Sequence, residues 1–463
     1  MKKIYSKIAV LALMLASVNA IAQDLESGFF TDGYLYRHEM NPAIANNRNY
    51  VSMLALGNIN FGMAGNLAIR DVIFNRNGKT VLFTNPSVDA NEFLNGISGR
   101  NRLNSDIRFQ LMGAGFKAWG GYNTVGIDLR SSTNVVIPGS LLELAKTGLE
   151  NKTYDIGGLS ASEEAYVEIA LGHSRKINDK WRVGGKVKFL VGLGNIDANV
   201  SNAVLNLGEN GYTADIDAEL NANVSGMEFK TKASEHNYTD QSGNTYKRNK
   251  VFNGFDFDSY SPNGFGVAFD IGGEFKINKD WKVLASFTDL GFIAWSGTKQ
   301  AATHGRVDTD RHVFSVDDDD ANSFSKEWDK LGDELASIYE LEDKGDVGGR
   351  TTGLGATMNL AGEYVFPYYR NLTFGLMNTT RINGKYTWTN FRLSANVAPL
   401  KWLSGGINFG IGTFGPSFGW IFNIHPKGFN LFVGMDHTLG KLSKQGIPLS
   451  SNAELSMGIN FPF

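Results

Sequence analysis

Apolar and polar residues alternate with a period of two through most of this sequence. Within 181–193 the odd positions are apolar or glycine, whereas the even positions include Arg182, Lys186 and Lys188. Successive side chains of a β-strand point to opposite faces, so the pattern predicts strands with one apolar and one wet face. Charge recurs on the wet face of strand after strand, which favours a barrel over a sandwich, because the layer between packed sheets holds few charges.

Length and composition narrow the fold further. After residue 22 no apolar run approaches the roughly 20 residues of a membrane helix, so a membrane-spanning form of this chain must cross with strands. Glycine is abundant (54 of 463 residues) and proline is scarce (10), which suits many closely packed strands. We therefore predict an all-β fold, a transmembrane antiparallel β-barrel of about 14 strands with an N-terminal hatch and long extracellular loops.

The alternation and the turn residues locate the individual strands. They are predicted near residues 50–63, 106–118, 121–132, 164–177, 181–194, 264–277, 281–292, 352–366, 371–382, 388–398, 401–414, 417–424, 429–439 and 454–463. Short polar turns, such as 178–180 and 278–280, alternate with long connections that include 195–263 and 293–351. Short turns of such barrels face the periplasm, so both ends of the barrel chain are expected there.

The first 22 residues have the features of a secretory signal peptide. Lys2, Lys3 and Lys7 precede the apolar stretch 8–18, and small residues up to Ala22 offer a cleavage site. The alternative, an amphipathic helix of a cytosolic protein, is disfavoured because the stretch has no polar face. We predict export to the outer membrane of a Gram-negative cell. The sequence has no cysteine, so neither disulfides nor thiolate metal sites are expected.

A short segment, residues 23–49, lies between the signal peptide and the first strand. Tyr34 and Tyr36 favour a plug inside the barrel, because isolated aromatic residues gain by burial; a disordered leader is the alternative. The predicted organisation is thus a signal peptide (1–22), a hatch or plug segment (23–49) and an outer-membrane β-barrel (50–463).

Charged residues on the wet faces are predicted to point into the lumen. Counting from the tight turns places Glu168 diagonal to Lys188, and Glu274 diagonal to Lys282, within pairing reach. Mutually neutralised pairs are therefore favoured over a passage that selects solutes by charge. The predicted lumen-facing charges are Glu168, Arg182, Lys186, Lys188, Asp270, Glu274, Lys282 and Arg392.

No enzyme, metal site or cofactor is predicted. Residues 415–419 match the nucleophile elbow of hydrolases, but that motif needs a following helix, and here another alternating strand follows. The seven histidines show no metal-ligand spacing. The net charge of −3 gives no single-sign field, so nucleic acid is not an expected partner.

The final strand, 454–463, ends with Phe461 and Phe463 on its apolar face. An aromatic residue at the end of such a strand resembles the signal by which the outer-membrane barrel assembly machinery recognises its clients. The expected partners are therefore that machinery and the lipids of the outer membrane.

The N-terminal segment and the strand count together resemble a known family. An exported chain with Asn41-Pro42-Ala43 near the end of a short segment, followed by about 14 strands, resembles the FadL-like (OmpP/TodX-type) outer-membrane transporters, in particular relatives of unassigned function. Asp-Leu-Gly-Phe at 289–292, followed by Trp295, is similar to a recurring feature of that group.

The resemblance implies a hatch, with Asn41, Pro42 and Ala43 as its motif, and the passage of hydrophobic or amphipathic small molecules as ligands. The alternative is a non-transporting barrel that anchors or scaffolds surface or secretion partners.

Overall fold

The computed structural model describes residues 24–76, 79–148, 153–208, 211–234, 238–239, 244–259, 261–310, 340–437 and 452–463. The predicted signal peptide lies outside these ranges. The described helices are short: α1 (Arg37–Met40), α2 (Ile69–Val72), α3 (Ala90–Leu94) and α4 (Gly139–Thr147), with 3₁₀ turns at Glu26–Gly28 and Gly384–Tyr386. None of the helices in the described ranges is long and apolar enough to cross a membrane.

Strands dominate the molecule. In chain order they are β1 (Tyr50–Ser52), β2 (Ile59–Gly65), β3 (Ile73–Arg76), β4 (Lys79–Leu82), β5 (Arg100–Ala118), β6 (Gly121–Pro138), β7 (Thr153–Asp155), β8 (Ser160–Lys176), β9 (Trp181–Gly208), β10 (Gly211–Asn223), β11 (Met227–Lys232), β12 (Tyr238–Thr239), β13 (Thr245–Tyr246), β14 (Val251–Phe257), β15 (Gly264–Lys276), β16 (Trp281–Trp295), β17 (Lys299–Asp310), β18 (Glu342–Asp346), β19 (Arg350–Gly353), β20 (Ala356–Val365), β21 (Leu372–Ile382), β22 (Trp388–Leu400), β23 (Leu403–Gly412), β24 (Gly415–Ile424), β25 (Asn430–Met435) and β26 (Ala453–Pro462).

Fourteen antiparallel strands form a closed barrel, as predicted. The first barrel strand is β1 together with β2, and the eighth is β19 together with β20; the others are β5, β6, β8, β9, β15, β16, β21, β22, β23, β24, β25 and β26. The terminal strand closes the ring, because β26 pairs with β25 on one side and with both β1 and β2 on the other. In that register Tyr50 lies opposite Pro462, and Ile59 lies opposite Met457.

The two ends of the barrel differ in their connections. The residues between β5 and β6, β8 and β9, β15 and β16, and β22 and β23 form tight turns, and we call this the short-turn end. The opposite end carries the long connections, and we call it the long-loop end.

The outer surface of the barrel is apolar, as the alternation requires. Phe189, Phe269 and Ile411 project outward, whereas the residues between them on each strand face the interior. Trp181 and Trp281, which flank two of the tight turns, are exposed and pack against Phe275 and Tyr364 of neighbouring strands. Such an apolar band with an aromatic border is typical of a lipid-facing wall.

Several strands are longer than the alternation predicted. β9 runs on to Gly208, where its outer half pairs with β10, and the pairing continues through β17, β18 and β14 to β11. We call this extension the outer sheet. The apolar alternation fades in the outer sheet, whose strands extend beyond the barrel wall, and so the pattern alone underestimates their length.

Candidate functional site

The lumen at the short-turn end is filled by residues 24–49, which we call the plug segment. Its large apolar side chains are buried, and they pack together with inward-facing residues of the wall to form the main apolar core of the barrel. This core contains Leu25, Phe29, Phe30, Tyr34, Leu35, Tyr36, Met40 and Ile44 of the plug segment, with Tyr50, Tyr122, Leu284, Ala361, Met377, Ile421 and Phe432 of the wall. The plug segment therefore buries its apolar side chains against one another and against the wall, although the rest of the lumen is polar.

The predicted hatch motif lies against the wall. The Asn41 side-chain amide donates to the carbonyls of Gly273 (3.2 Å) and Ala285 (3.3 Å), and its oxygen accepts from the Ala43 amide at 2.9 Å. Gly184 and Gly272 permit this close approach, since a Cβ on Gly184 would meet the Pro42 carbonyl and one on Gly272 would meet the Asn41 side chain.

Backbone carbonyls of the plug segment are satisfied by polar side chains of the wall. The Met40 carbonyl accepts from Ser286 at 2.6 Å and from Asn359 at 3.0 Å. The Asp32 carbonyl accepts from Ser404 at 2.5 Å and from Asn423 at 3.2 Å. Buried backbone groups need such partners, and here the polar lumen wall supplies them to a segment with little regular structure of its own.

A buried group of charges, the Glu39 cluster, joins the plug segment to the wall. Glu39 lies 2.6 Å from the Lys186 ammonium and 3.0 Å from the Arg108 guanidinium. Arg108 also contacts Asp128 at 3.0 Å and Asp24 at 2.6 Å. Two cations thus face three carboxylates, and two of those carboxylates belong to the plug segment.

A second group, the Asp289 cluster, lies on the long-loop side of the plug segment. Lys188 contacts Asp289 at 2.6 Å, Asp270 at 3.0 Å and Glu168 at 3.7 Å. Arg130 contacts Glu168 at 3.2 Å and Asp289 at 3.3 Å. A third cation, on β21, completes the set: the Arg381 guanidinium is 3.8 Å from Asp289. Three cations and three carboxylates on six strands therefore form a neutral layer across this part of the lumen.

A β-bulge brings Asp289 into this layer. Thr288 and Asp289 of β16 both lie opposite Asp270 of β15, and Asp289 has a left-handed backbone with φ of 59°. The Asp289 amide donates to the Asp270 carboxylate at 2.8 Å. The extra residue turns two successive side chains inward and reverses the alternation for the rest of β16.

Arg392 anchors the start of the plug segment in a third group. Its guanidinium lies 2.5 Å from Glu26 and donates to the Asn408 side chain at 2.5 Å. Asp436 accepts from the backbone amides of Glu26 (2.5 Å) and Ser27 (2.7 Å). Charge-assisted bonds of this kind are among the stronger polar contacts in proteins.

The remaining predicted residues lie nearer the short-turn end or on the outer face. Lys282 is 2.9 Å from Glu363 and 3.9 Å from Glu274, whereas Arg182 is half-buried opposite Glu274 on the next strand. Phe461 and Phe463 project outward from the terminal strand.

A cavity of about 280 Å³ lies between the Asp289 cluster and the long-loop end. Arg130 and Arg381 of the cluster form part of its lining, which also includes Asp106, Asn134, Glu164, Tyr166, Asn195, Asp197, Arg350, Thr352, Leu354 and Tyr386. Burial raises the pKa of the Tyr386 hydroxyl, so this group stays a neutral donor. Charged groups, amides and hydroxyls stand beside two tyrosine rings and a leucine, and such a lining suits a ligand with both polar and apolar parts.

Sequence reasoning did not single out several members of these clusters. Arg108, Asp128 and Arg130 lie on the wet faces of predicted strands, and the same parity count finds them. Glu39 carried no signal, because the plug segment has no period. Asp289 stands out in the sequence only as part of the stretch 289–292 that resembles the family, and parity alone would turn its side chain to the outer face.

Three comparisons with known proteins describe what the chain resembles. A family model described as "Family of unknown function (DUF5723)" matches residues 42–436. The comparison with curated proteins found no match.

Among solved structures, the chain is similar to the toluene transporter TbuX of Ralstonia pickettii, at 7% identity and a TM-score of 0.39, covering 91% of this chain and 90% of that one. It is similar to the toluene transporter TodX of Pseudomonas putida, at 8% identity and a TM-score of 0.38, covering 96% and 95%. A FadL homologue of Pseudomonas aeruginosa matches at 8% identity and a TM-score of 0.38, covering 96% and 98%. FadL-type barrels are thus among the solved structures to which the chain is similar.

Proposed function

The chain belongs to the DUF5723 family of unknown function, and from that premise we propose that it is an outer-membrane barrel that carries small amphipathic molecules past its plug segment. The apolar outer band and aromatic border support the membrane location. The observation that carries the transport proposal is the cavity at the long-loop end, which ends on the Asp289 cluster, with the plug segment beyond it.

The lining of the cavity favours amphipathic over purely apolar compounds. Its charged and amide groups offer hydrogen bonds to a polar head, while Tyr166, Leu354 and Tyr386 offer apolar surface to the rest of the molecule. A wholly apolar molecule would leave the half-buried arginine and carboxylate groups of the lining without the water or polar partner that they need.

Two groups of residues obstruct the lumen beyond the cavity, and both must move before a molecule can pass. The Asp289 cluster crosses the lumen first, and the plug segment fills the lumen behind it. Both are held by non-covalent contacts, so displacement of the plug segment is the step that opens the path. A covalent link between the plug segment and the wall should then block transport.

The absence of native cysteine allows a clean test. In the double variant Thr31→Cys/Asn396→Cys, one cysteine lies on the plug segment and the other on β22, where the native side chains are 3.0 Å apart. Uptake of a fluorescent medium-chain fatty acid into proteoliposomes is measured after oxidation and again after reduction. We expect oxidation to abolish uptake and reduction to restore it.

A matched control places the same chemistry in the wall alone. Thr380→Cys/Thr389→Cys joins β21 to β22, whose native side chains are 2.8 Å apart, and leaves the plug segment unlinked. Oxidation of this variant should leave uptake intact. Unchanged uptake by the oxidised Thr31/Asn396 variant, with the link verified by mass spectrometry, would contradict passage through the plugged lumen.

A second candidate function, anchoring or scaffolding of partners, is favoured by the outer sheet. This sheet extends beyond the barrel wall, and its strands do not line the lumen. They are β10, β11, β14, β17 and β18. Absence of uptake by the unmodified protein, together with proteins that co-purify with it and are lost when 211–257 is shortened, would support this function instead.

A further inference from the structure

The short-turn end of the barrel carries a marked excess of positive charge. Nine exposed basic side chains lie on its turns and strand ends: Lys117, Arg175, Lys176, Lys180, Lys276, Lys279, Arg370, Lys401 and Lys427. The same turns hold only two acidic side chains, Asp179 and Asp280. The whole sequence has a net charge of −3, so the excess is a local feature of this end. We call these nine residues the basic collar.

Ion pairing within the protein neutralises little of the collar. Lys176 pairs with Asp179 at 2.6 Å, and Arg370 pairs with Asp280 at 2.6 Å. For the other seven, the described part of the chain offers no carboxylate within ion-pair distance. Because all nine are exposed, their charge is available to an external partner.

Exposed aromatic residues accompany the collar. Trp119 follows Lys117, Trp181 follows Lys180, Trp281 follows Lys279 and Trp402 follows Lys401, so the same pairing of a lysine and a tryptophan occurs on four separate turns. All four indoles are exposed or partly exposed on the outer surface. Tryptophan favours the membrane–water boundary, while the long lysine stem allows the ammonium to reach the polar side of it.

We propose that the basic collar binds the phosphate groups of anionic phospholipids in the leaflet that surrounds the short-turn end. The repeat of Lys and Trp around the circumference fits a ring of headgroups, each held by an ammonium next to an indole that lies among the acyl chains. A soluble acidic protein would instead need a contiguous patch. The interaction is electrostatic, so it depends on headgroup charge and weakens at high salt.

This inference is independent of transport and requires only that the barrel lie in a membrane. The variant Lys180→Gln/Lys279→Gln/Lys401→Gln removes three collar charges that stand next to tryptophans. The matched control is Lys230→Gln/Lys247→Gln/Lys250→Gln, which removes three exposed lysines at the long-loop end. Full-length proteins are purified in mixed micelles that contain phosphatidylglycerol or phosphatidylcholine, and retained lipid is counted by native mass spectrometry.

We expect wild type and the control variant to retain phosphatidylglycerol in preference to phosphatidylcholine. In the collar variant, retained phosphatidylglycerol should fall at least about fivefold, since each basic residue near the surface contributes to the attraction. Heat-dependent gel migration verifies that each variant is folded.

Equal retention of the two lipids by wild type, or equal losses in the two variants, would overturn the proposal. In a third measurement, soluble glycerol phosphate is added as a competitor of phosphatidylglycerol. If it displaces phosphatidylglycerol at equal concentration, the site recognises free phosphate esters and the leaflet is not its source of ligand.

Discussion

The ammonium of Lys186, on the barrel wall, lies 2.6 Å from the carboxylate of Glu39, on the plug segment, and both groups are buried. Glu39 also holds the guanidinium of Arg108 at 3.0 Å. One plug carboxylate therefore joins two wall cations that come from β5 and β9, and the plug segment is fastened across the lumen at this point.

Replacing Glu39 by Gln should loosen the plug segment without opening the barrel. The change leaves Lys186 without its carboxylate in a buried site, and breaking a buried ion pair from one side costs about 3–5 kcal/mol. Hydrogen exchange of residues 24–49 should accelerate, while exchange in the wall strands stays slow. Asp179→Asn is the control, because it breaks an ion pair that is exposed to solvent and contributes little to stability. Unchanged plug exchange in Glu39→Gln would show that the cluster does not hold the segment.

Gly184→Ala should displace the hatch motif. The new methyl group would meet the carbonyl of Pro42, which is backbone and cannot rotate away. We expect faster proteolysis of the plug segment in Gly184→Ala. Gly362→Ala is the matched control, since a Cβ there meets nothing within 4 Å. Equal proteolysis of the two variants would mean that the close approach at Gly184 is not needed for docking.

Asp289→Asn separates charge from backbone strain. Asparagine tolerates the left-handed conformation, so this variant removes the charge alone and leaves three cations facing two carboxylates. We expect a lower midpoint in heat-dependent gel migration. Asp289→Ala should lower it further, because a left-handed alanine adds roughly 1–2 kcal/mol of strain. A midpoint of Asp289→Asn equal to that of wild type would argue that the Asp289 cluster contributes nothing to stability.

Deletion of Phe463 should reduce assembly of the barrel before it alters any activity. The side chain is exposed at the end of β26, where it makes little contribution to packing. Membrane levels of the folded protein are compared with those of Tyr368→Ala, which removes another exposed aromatic at the same end. Wild-type levels of the truncated chain would refute a role of Phe463 in recognition by the assembly machinery.

The alternation predicted the barrel because it separates the apolar outer face of each strand from the face that points into the lumen. Parity alone turns Glu168, Lys188 and Asp270 toward the lumen, and the structure brings them together. Parity fails at Asp289, because it assumes an unbroken pleat and the bulge at Thr288 and Asp289 breaks it.

No local sequence pattern predicts the contacts between strands that are distant in the chain. Arg130 and Arg381 lie on β6 and β21, and they meet the same carboxylate only because the ring is closed and narrow enough. The attachment of Glu39 to Arg108 and Lys186 depends on the path of the plug segment, whose sequence has no periodic pattern. The wall around the plug segment fixes that path.

The amide of Phe463 donates to the carbonyl of Asn49 at 2.9 Å, which joins the end of the final strand to the last residue of the plug segment. The pairing of β26 with β1 and β2 is thus a seam, and it can form only after every other strand exists. An intermediate still open at this seam gives residues 24–49 a sideways entrance to the lumen, which the closed ring lacks. During biogenesis the plug segment should therefore dock before the seam closes or as it does so.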